Sequence, residues 1–324
     1  MAHIVKVPQQ GGLEQLTLTH VTLAAPGPGE VRIQQHAIGV NPLDVSQRKG
    51  DVPLPTPAQL GLEGAGVVTA VGEGVQSFKS GDRVAYATGP LGAYASERNF
   101  PAGRLVKIAN DLSFADAAAI LFKGITAQYL LKATYPVAPG SQVLLYGASG
   151  GVGQLMAAWA RHLGATVIGV VSRDSSVERA LQAGCDHALV FDANKLATQV
   201  RDLTHGKGVD VVYDAVGKVS WEASLDSIRP RGLMVSFGMT SGAPAPVSVS
   251  TLNAKGALFL TRPSLAAHTA TDAEYQERAQ DVLTAVRQAI IKPNAAHTFS
   301  LADVQEAHRL MESGQNTGPI VLVP

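Results

Sequence analysis

Three glycines, Gly147, Gly150 and Gly153, recur at intervals of three in the stretch YGASGGVG. The stretch lies between an apolar run, QVLLY at 142–146, and an amphipathic one, GQLMAAWARHLG at 153–164. Strand, glycine loop and helix in that order suit a phosphate. Glycine lets the backbone approach a pyrophosphate, and the helix start offers unpaired N–H groups and the positive end of its dipole. Gly153 suits close packing of helix on sheet.

A second apolar run, ATVIGVV at 165–171, ends in Ser172 and Arg173. In a dinucleotide fold the exit of the second strand faces the adenosine ribose. An acid there binds a free 2′-hydroxyl and repels a 2′-phosphate. Here the acid position is the apolar Val171. A hydroxyl and a planar guanidinium follow, both suited to phosphate oxygens. The pattern predicts NADPH over NADH. The plainer reading is an arginine on an exposed loop, and Asp174 stands able to engage Arg173 or to repel the phosphate.

The same loop also spells G-x-S-x-G through Gly147, Ser149 and Gly151, the nucleophile elbow of an α/β-hydrolase. Asp214 and either His297 or His308 would follow in the chain order of a catalytic triad. Against that reading stand the β-rich first third of the chain, the third glycine and the Ser-Arg pair. The nine histidines show no metal-ligand spacing, and no H-E-x-x-H occurs.

The elements that must carry these residues follow from periodicity. Runs at 3–7, 16–23, 30–40, 64–75 and 81–87 read as short strands broken by Gly/Pro turns, a β-barrel-like pattern. Ser113 caps a helix predicted over 114–134, with a break possible at Gly124. From 142 to 238 strands alternate with helices, which predicts a parallel α/β sheet. A helix at about 272–291, a strand HTFS, a helix capped by Ser300 and stopped by Gly314, and a final strand PIVLVP form a tail. It has too few elements for a domain of its own and is expected to pack on the first.

The 324 residues suffice for two domains. Lys plus Arg equals Asp plus Glu, 26 each, so no global field draws nucleic acid or anionic lipid. The lone Cys185 excludes an internal disulfide and a cysteine-based zinc cluster. No apolar run approaches a signal peptide or a membrane span, so a cytoplasmic protein is expected.

The chain resembles the zinc-free quinone oxidoreductases, related to zeta-crystallin, of the medium-chain dehydrogenase/reductase superfamily. The residues that carry the resemblance run end to end: AIGVNPLD (37–44), GLEGAGVV (61–68), SGDRVAY (80–86), LGAYAS (91–96), FKGITAQYLL (122–131), GASGGVG (147–153), VVYDAVG (211–217), RPRGLMVSFG (229–238) and LTRPSL (260–265). Zinc-using relatives carry a histidine where this chain has Leu62 and a cysteine where it has Asn41. Neither replacement can ligate zinc in its place. The resemblance therefore implies reduction without a metal.

It also implies an α/β fold in two parts. One is a GroES-like β-rich catalytic domain from residues 1–122 and 265–324. The other is a Rossmann domain, a doubly wound parallel sheet, from 123–264, with NADPH in the cleft. A homodimer and a quinone or similar electrophile as acceptor are implied as well. By match to the family's motifs, Asn41, Asp44, Thr126, Tyr129 and Arg262 lie near the nicotinamide, Gly150, Gly151 and Val152 hold the pyrophosphate, and Val216, Phe237 and Gly238 lie along the cofactor at strand ends. Ser46 replaces a family tyrosine. Ser176, Phe191 and Gly314 replace a lysine, a tyrosine and an arginine of the 2′-phosphate site, leaving Ser172 and Arg173, with Ser176 beside them.

A quinone accepts hydride readily because the reduced ring gains aromaticity, so the protein need only place it and stabilise the developing oxyanion. Asn41 can donate an amide N–H to that oxygen, or equally cap the backbone before Pro42. Tyr129 can donate its phenol or simply pack. Arg262 can stabilise an enolate or bind cofactor, and Asp44 orients a neighbour. Two other functions stay open: reduction of activated C=C bonds in enones or enoyl thioesters, and NADPH binding without catalysis.

Overall fold

The computed structural model describes residues 1–324 and divides into two compact units. One comprises Met1–Gly124, Ala270–Val286 and Lys292–Pro324; the other comprises Ile125–Thr269 and Arg287–Ile291.

The first unit is β-rich. Its larger sheet is built around the long strand Glu30–Val40, which pairs antiparallel with Glu63–Val71, Glu97–Pro101 and the chain's last strand, Ile320–Val323. Alternate residues Val31, Ile33, Ile38 and Val40 enter a core with Val68, Val84, Tyr86, Phe100 and Leu322. That alternation makes the pattern legible as a strand. The tail joins this sheet because its apolar IVLV has no other partner: His297–Ser300 runs parallel to Ile320–Val323, which in turn lies on Glu30–Val40. Ser300 caps a short turn by accepting the Ala302 N–H, and Gly314, with φ of 63°, ends the helix Val304–Ser313.

The second unit is a six-stranded parallel sheet. Its spatial order is His187–Val190, Thr166–Val171, Gln142–Tyr146, Val209–Asp214, Ile228–Ser236, Phe259–Thr261. In chain order that reads 3-2-1-4-5-6, the doubly wound arrangement whose ligands bind at the carboxyl ends of the strands. Val143, Leu144, Ile168, Val170, Val211 and Val212 are fully or almost fully buried, as expected for strands covered on both faces.

The long helix departs from expectation. Phe114–Tyr129 runs through Gly124 without a break. Glycine is required there by packing: a Cβ would lie 2.6 Å from Val282 Cγ1. The irregularity comes later, as a π-helical turn over Leu130–Thr134, where the Leu130 carbonyl accepts from both Tyr135 N–H and the Tyr213 phenol. Together the two segments are long and apolar enough to cross a membrane, yet 72% of that window is buried within the protein. It is a core helix.

Candidate active site

Asn41 ends the strand Glu30–Val40 and precedes Pro42 at the start of helix Pro42–Lys49, where proline's fixed φ and missing N–H fit. The cap is made by the other partner. Asp44 Oδ2 accepts the Asn41 backbone N–H at 2.9 Å, which frees the Asn41 side chain. That side chain is buried between two ions. Its Nδ2 donates to Glu63 Oε2 at 3.0 Å, and its Oδ1 accepts from Lys123 Nζ at 2.8 Å. Glu63 also takes the Phe122 N–H at 2.7 Å and lies 3.7 Å from Lys123 Nζ. Gly39 makes room for this carboxylate, since a Cβ there would lie 2.4 Å from Glu63 Oε2.

Asp44 Oδ2 also accepts from the Tyr94 phenol at 3.0 Å, while its Oδ1 is buried without a hydrogen bond. The Tyr94 oxygen is 3.0 Å from His308 Nε2. With the phenol proton given to Asp44, the imidazole must donate to Tyr94. Burial drives the Asp44 carboxyl up to about 7 against its two hydrogen bonds, raises Glu63, and pushes His308 down to about 3. The folded protein thus holds a proton on Asp44 that the unfolded chain releases near its ordinary value of 3.8. Stability contributed by that proton is full below about pH 4 and is lost as pH rises through about 7. His308, held neutral, contributes the opposite trend over about pH 3 to 6.5, so the melting temperature of Asp44→Asn, taken relative to wild type, should rise with pH between about 4 and 7.

In the other unit, the remaining candidates collect at the carboxyl ends of the parallel strands. The loop after Gln142–Tyr146 turns at Gly147, φ 64°, and leads into helix Gly151–His162, whose start at Gly150 has no side-chain cap. The first-turn amides of Gly151 and Val152 are thus left to an anion. Gly153 is held by contact: its Cβ would lie 2.1 Å from the Gly147 carbonyl oxygen. These features fit a pyrophosphate.

After the neighbouring strand Thr166–Val171, Ser172 and Arg173 are exposed. The guanidinium Nε of Arg173 points to the buried Ser176 Oγ at 3.4 Å rather than to Asp174. Val216 follows the fourth strand, with its N–H on Asp214 Oδ1 at 2.7 Å. Phe237 and Gly238 follow the fifth, donating to the Asp214 carbonyl at 2.9 and 3.2 Å. Asp214 therefore ties these three residues together, and its Oδ2 accepts from Ser220 and Ser224. Its turn also shortens the strand expected over 209–217 to Val209–Asp214.

Arg262 follows the sixth strand, and its Nη1 donates to the Ser236 carbonyl at 3.0 Å. Tyr129 is buried one helical turn after Thr126, also buried, and stacks on His268 with ring centroids 4.4 Å apart. Burial pushes the Tyr129 phenol up to about 12, opposed by the charge of Arg262.

Sequence reasoning overlooked Lys123, Glu63 and His268 as site residues, though the first two lie inside the quoted motifs. The hydrolase reading finds no triad, because each partner is engaged elsewhere. Asp214 is held by two serines, His308 by Tyr94, and His297 Nε2 by Thr317.

The Alcohol dehydrogenase GroES-like domain family matches residues 27–163, and the Zinc-binding dehydrogenase family matches 151–284. A 2-haloacrylate reductase from Burkholderia sp is 43% identical over 98% of this chain and 97% of its own length. A quinone oxidoreductase from Pseudomonas aeruginosa is 41% identical over the whole of both chains. The crystal structure of Escherichia coli quinone oxidoreductase complexed with NADPH superposes with a TM-score of 0.94 at 40% identity, covering 99% of this chain and 100% of that one. This chain belongs to the zinc-free quinone oxidoreductase family of the medium-chain dehydrogenase/reductases.

The zinc in the matched family's description does not suit the residues at Asn41. A thiolate ligand is replaced by an amide whose oxygen already faces an ammonium. Leu62 offers no donor, and of the two carboxylates nearby Glu63 is paired with that ammonium and Asp44 is held by the Asn41 N–H and the Tyr94 phenol. No group of three His, Cys, Asp or Glu side chains is arranged to hold a metal. A dication there would be repelled by Lys123 and would lack soft or imidazole ligands.

Proposed function

We propose that this member of the family is an NADPH-dependent reductase that passes reducing equivalents to a quinone without a metal. The observation that carries the reading is the sequence of groups at the strand ends. An uncapped glycine-loop helix follows the first strand, and a hydroxyl with a guanidinium follows the second. The relative from Escherichia coli, crystallised with NADPH, supports it.

Gly151 and Val152 would hold the pyrophosphate through backbone N–H groups, with Gly150, whose own N–H is on the Gly147 carbonyl at 2.8 Å, shaping the turn against it. Ser172 and Arg173, with Ser176 behind the guanidinium, would hold the 2′-phosphate. Val216, Phe237, Gly238, Thr126 and Tyr129 would line the rest of the dinucleotide. Bound NADPH supplies the hydride, from C4 of its nicotinamide. The chain's own part is to orient the acceptor and to meet the oxygen anion that forms. Asn41 would donate to it the Nδ2 proton that Glu63 does not take, and Arg262 would serve the cofactor. Asp44 acts on Asn41 through the backbone, and the hydroquinone anion can take its proton from water.

Purified protein should oxidise NADPH in the presence of a simple quinone. Arg173→Ala should raise KM for NADPH about 10-fold and leave KM for NADH unchanged, the scale of one exposed charge-assisted hydrogen bond. An equal change for both nucleotides would remove the phosphate role. A second reading, reduction of activated C=C bonds, is favoured by the 43% identity to a 2-haloacrylate reductase and by the small Ser46 in place of an aromatic ring. A panel of quinones and enones followed by nicotinamide absorbance separates the two.

The same reading includes a homodimer. The strand Phe259–Thr261 is the edge of the parallel sheet and is paired on one side only. It exposes Phe259 at 62%, with Leu260 also exposed, and such an edge invites strand pairing with a second copy. Phe259→Asp should convert dimer to monomer in sedimentation velocity; a wild-type monomer would refute the arrangement. The acceptor's site and any cytoplasmic location belong to this proposal as well.

A further inference from the structure

Lys123 is not explained by the fold. Its side chain is 7% exposed, and it forms an ion pair with the fully buried Glu63. Taking two charges out of water costs more than packing two apolar side chains of the same size, so stability alone does not account for the pair. Its geometry suggests another use. The Asn41 amide sits between the two ions with its carbonyl on the ammonium and its NH2 on the carboxylate. Rotating the amide by half a turn would set NH2 against ammonium and carbonyl against carboxylate. Neutral donors and acceptors also favour one orientation of an asparagine amide, but charged partners make the stronger hydrogen bonds. Here the two opposite charges fix it.

We propose that Lys123 and Glu63 are positioning residues that lock the Asn41 amide, so that its second Nδ2 proton always faces the oxygen anion forming on the acceptor. The ammonium also withdraws electron density from the amide carbonyl, which makes that proton a better donor. A fixed ammonium and an amide thus do together what a metal cation does in zinc-dependent relatives. The proposal rests on the reading of Asn41 as the donor to the acceptor's oxygen.

The test uses Lys123→Met together with Glu63→Gln, because the double variant leaves no buried ion without its partner, whereas Lys123→Met alone can fail to fold. In the double variant kcat with a quinone should fall about 10- to 100-fold, with KM for NADPH within about twofold of wild type. The same pair of changes added to Asn41→Ala should alter kcat by less than about twofold, since the residue they position is gone. Unchanged kcat in the double variant, or an undiminished further loss in the Asn41→Ala background, would overturn the proposal. If wild type oxidises NADPH with neither quinone nor enone, the functional reading fails, and the lock is then tested by itself. In 1H–15N spectra the Asn41 Nδ2 protons of wild type should exchange slowly with solvent, and that exchange should become fast in the double variant. Equal exchange in the two proteins would dismiss the lock.

Discussion

Gly153→Val is expected to give a protein that no longer retains NADPH and that melts well below wild type. The added Cβ would lie 2.1 Å from the Gly147 carbonyl oxygen and 2.9 Å from Ala148 Cα, both backbone positions that cannot swing aside. Something must yield, either the glycine loop or the seat of helix Gly151–His162 on the sheet. Overpacking of this kind costs about 1–3 kcal/mol or more. It also displaces the amides that would meet the pyrophosphate, so NADPH affinity should drop by at least about 100-fold. Gly150→Ala is the informative control. Its backbone, φ −83° and ψ 174°, is open to any residue, and the new Cβ meets only the Gly147 oxygen at 3.1 Å. That variant should keep its melting temperature and lose affinity alone. Fluorescence titration with NADPH beside thermal melts distinguishes the two, and unimpaired binding by Gly153→Val would contradict the assignment of the loop.

Asn41→Ala should lower kcat about 100-fold with little change in KM for NADPH, which is the usual loss when one donor to a developing oxyanion is removed. The change also leaves Lys123 and Glu63 facing each other across the vacated amide, 3.7 Å apart and still paired. Folding should therefore survive, and the loss should read as chemistry rather than as instability. Asn41→Asp is a sharper case. A carboxylate in this position can salt-bridge Lys123 but opposes Glu63 and has no N–H to give, so its kcat should be at or below that of Asn41→Ala. Steady-state assays with a quinone across wild type and both variants decide the matter. Wild-type turnover in Asn41→Ala would return the residue to a purely structural role.

The parallel sheet was legible because its strands are buried on both faces and separated by amphipathic helices of ordinary length. QVLLY and the strand Glu30–Val40 were read with the bounds the structure gives them. The short helices Pro42–Lys49, Val249–Ala254 and Leu265–His268 were not, since so few turns carry no period and are set by their neighbours. The same limit hid the lock on Asn41. Lys123 lies 82 residues away in the chain and Glu63 22. Within its own helix a lysine among alanines and leucines looks like an exposed charge. Only the burial of that helix face turns it toward a partner. His268 was missed for a similar reason: its stacking on Tyr129 joins two segments that no local spacing relates. The glycine loop was visible because its function depends on consecutive backbone, which a sequence displays directly.

The chain's single thiol, Cys185, is buried, and its burial drives the ionisation up to about 12. Gly169 lets it sit that deeply, since any side chain there would press on Sγ. Quinones and enones are Michael acceptors that alkylate proteins through thiolate. At neutral pH this protein presents almost none, so electrophiles of that class should leave its one thiol unmodified.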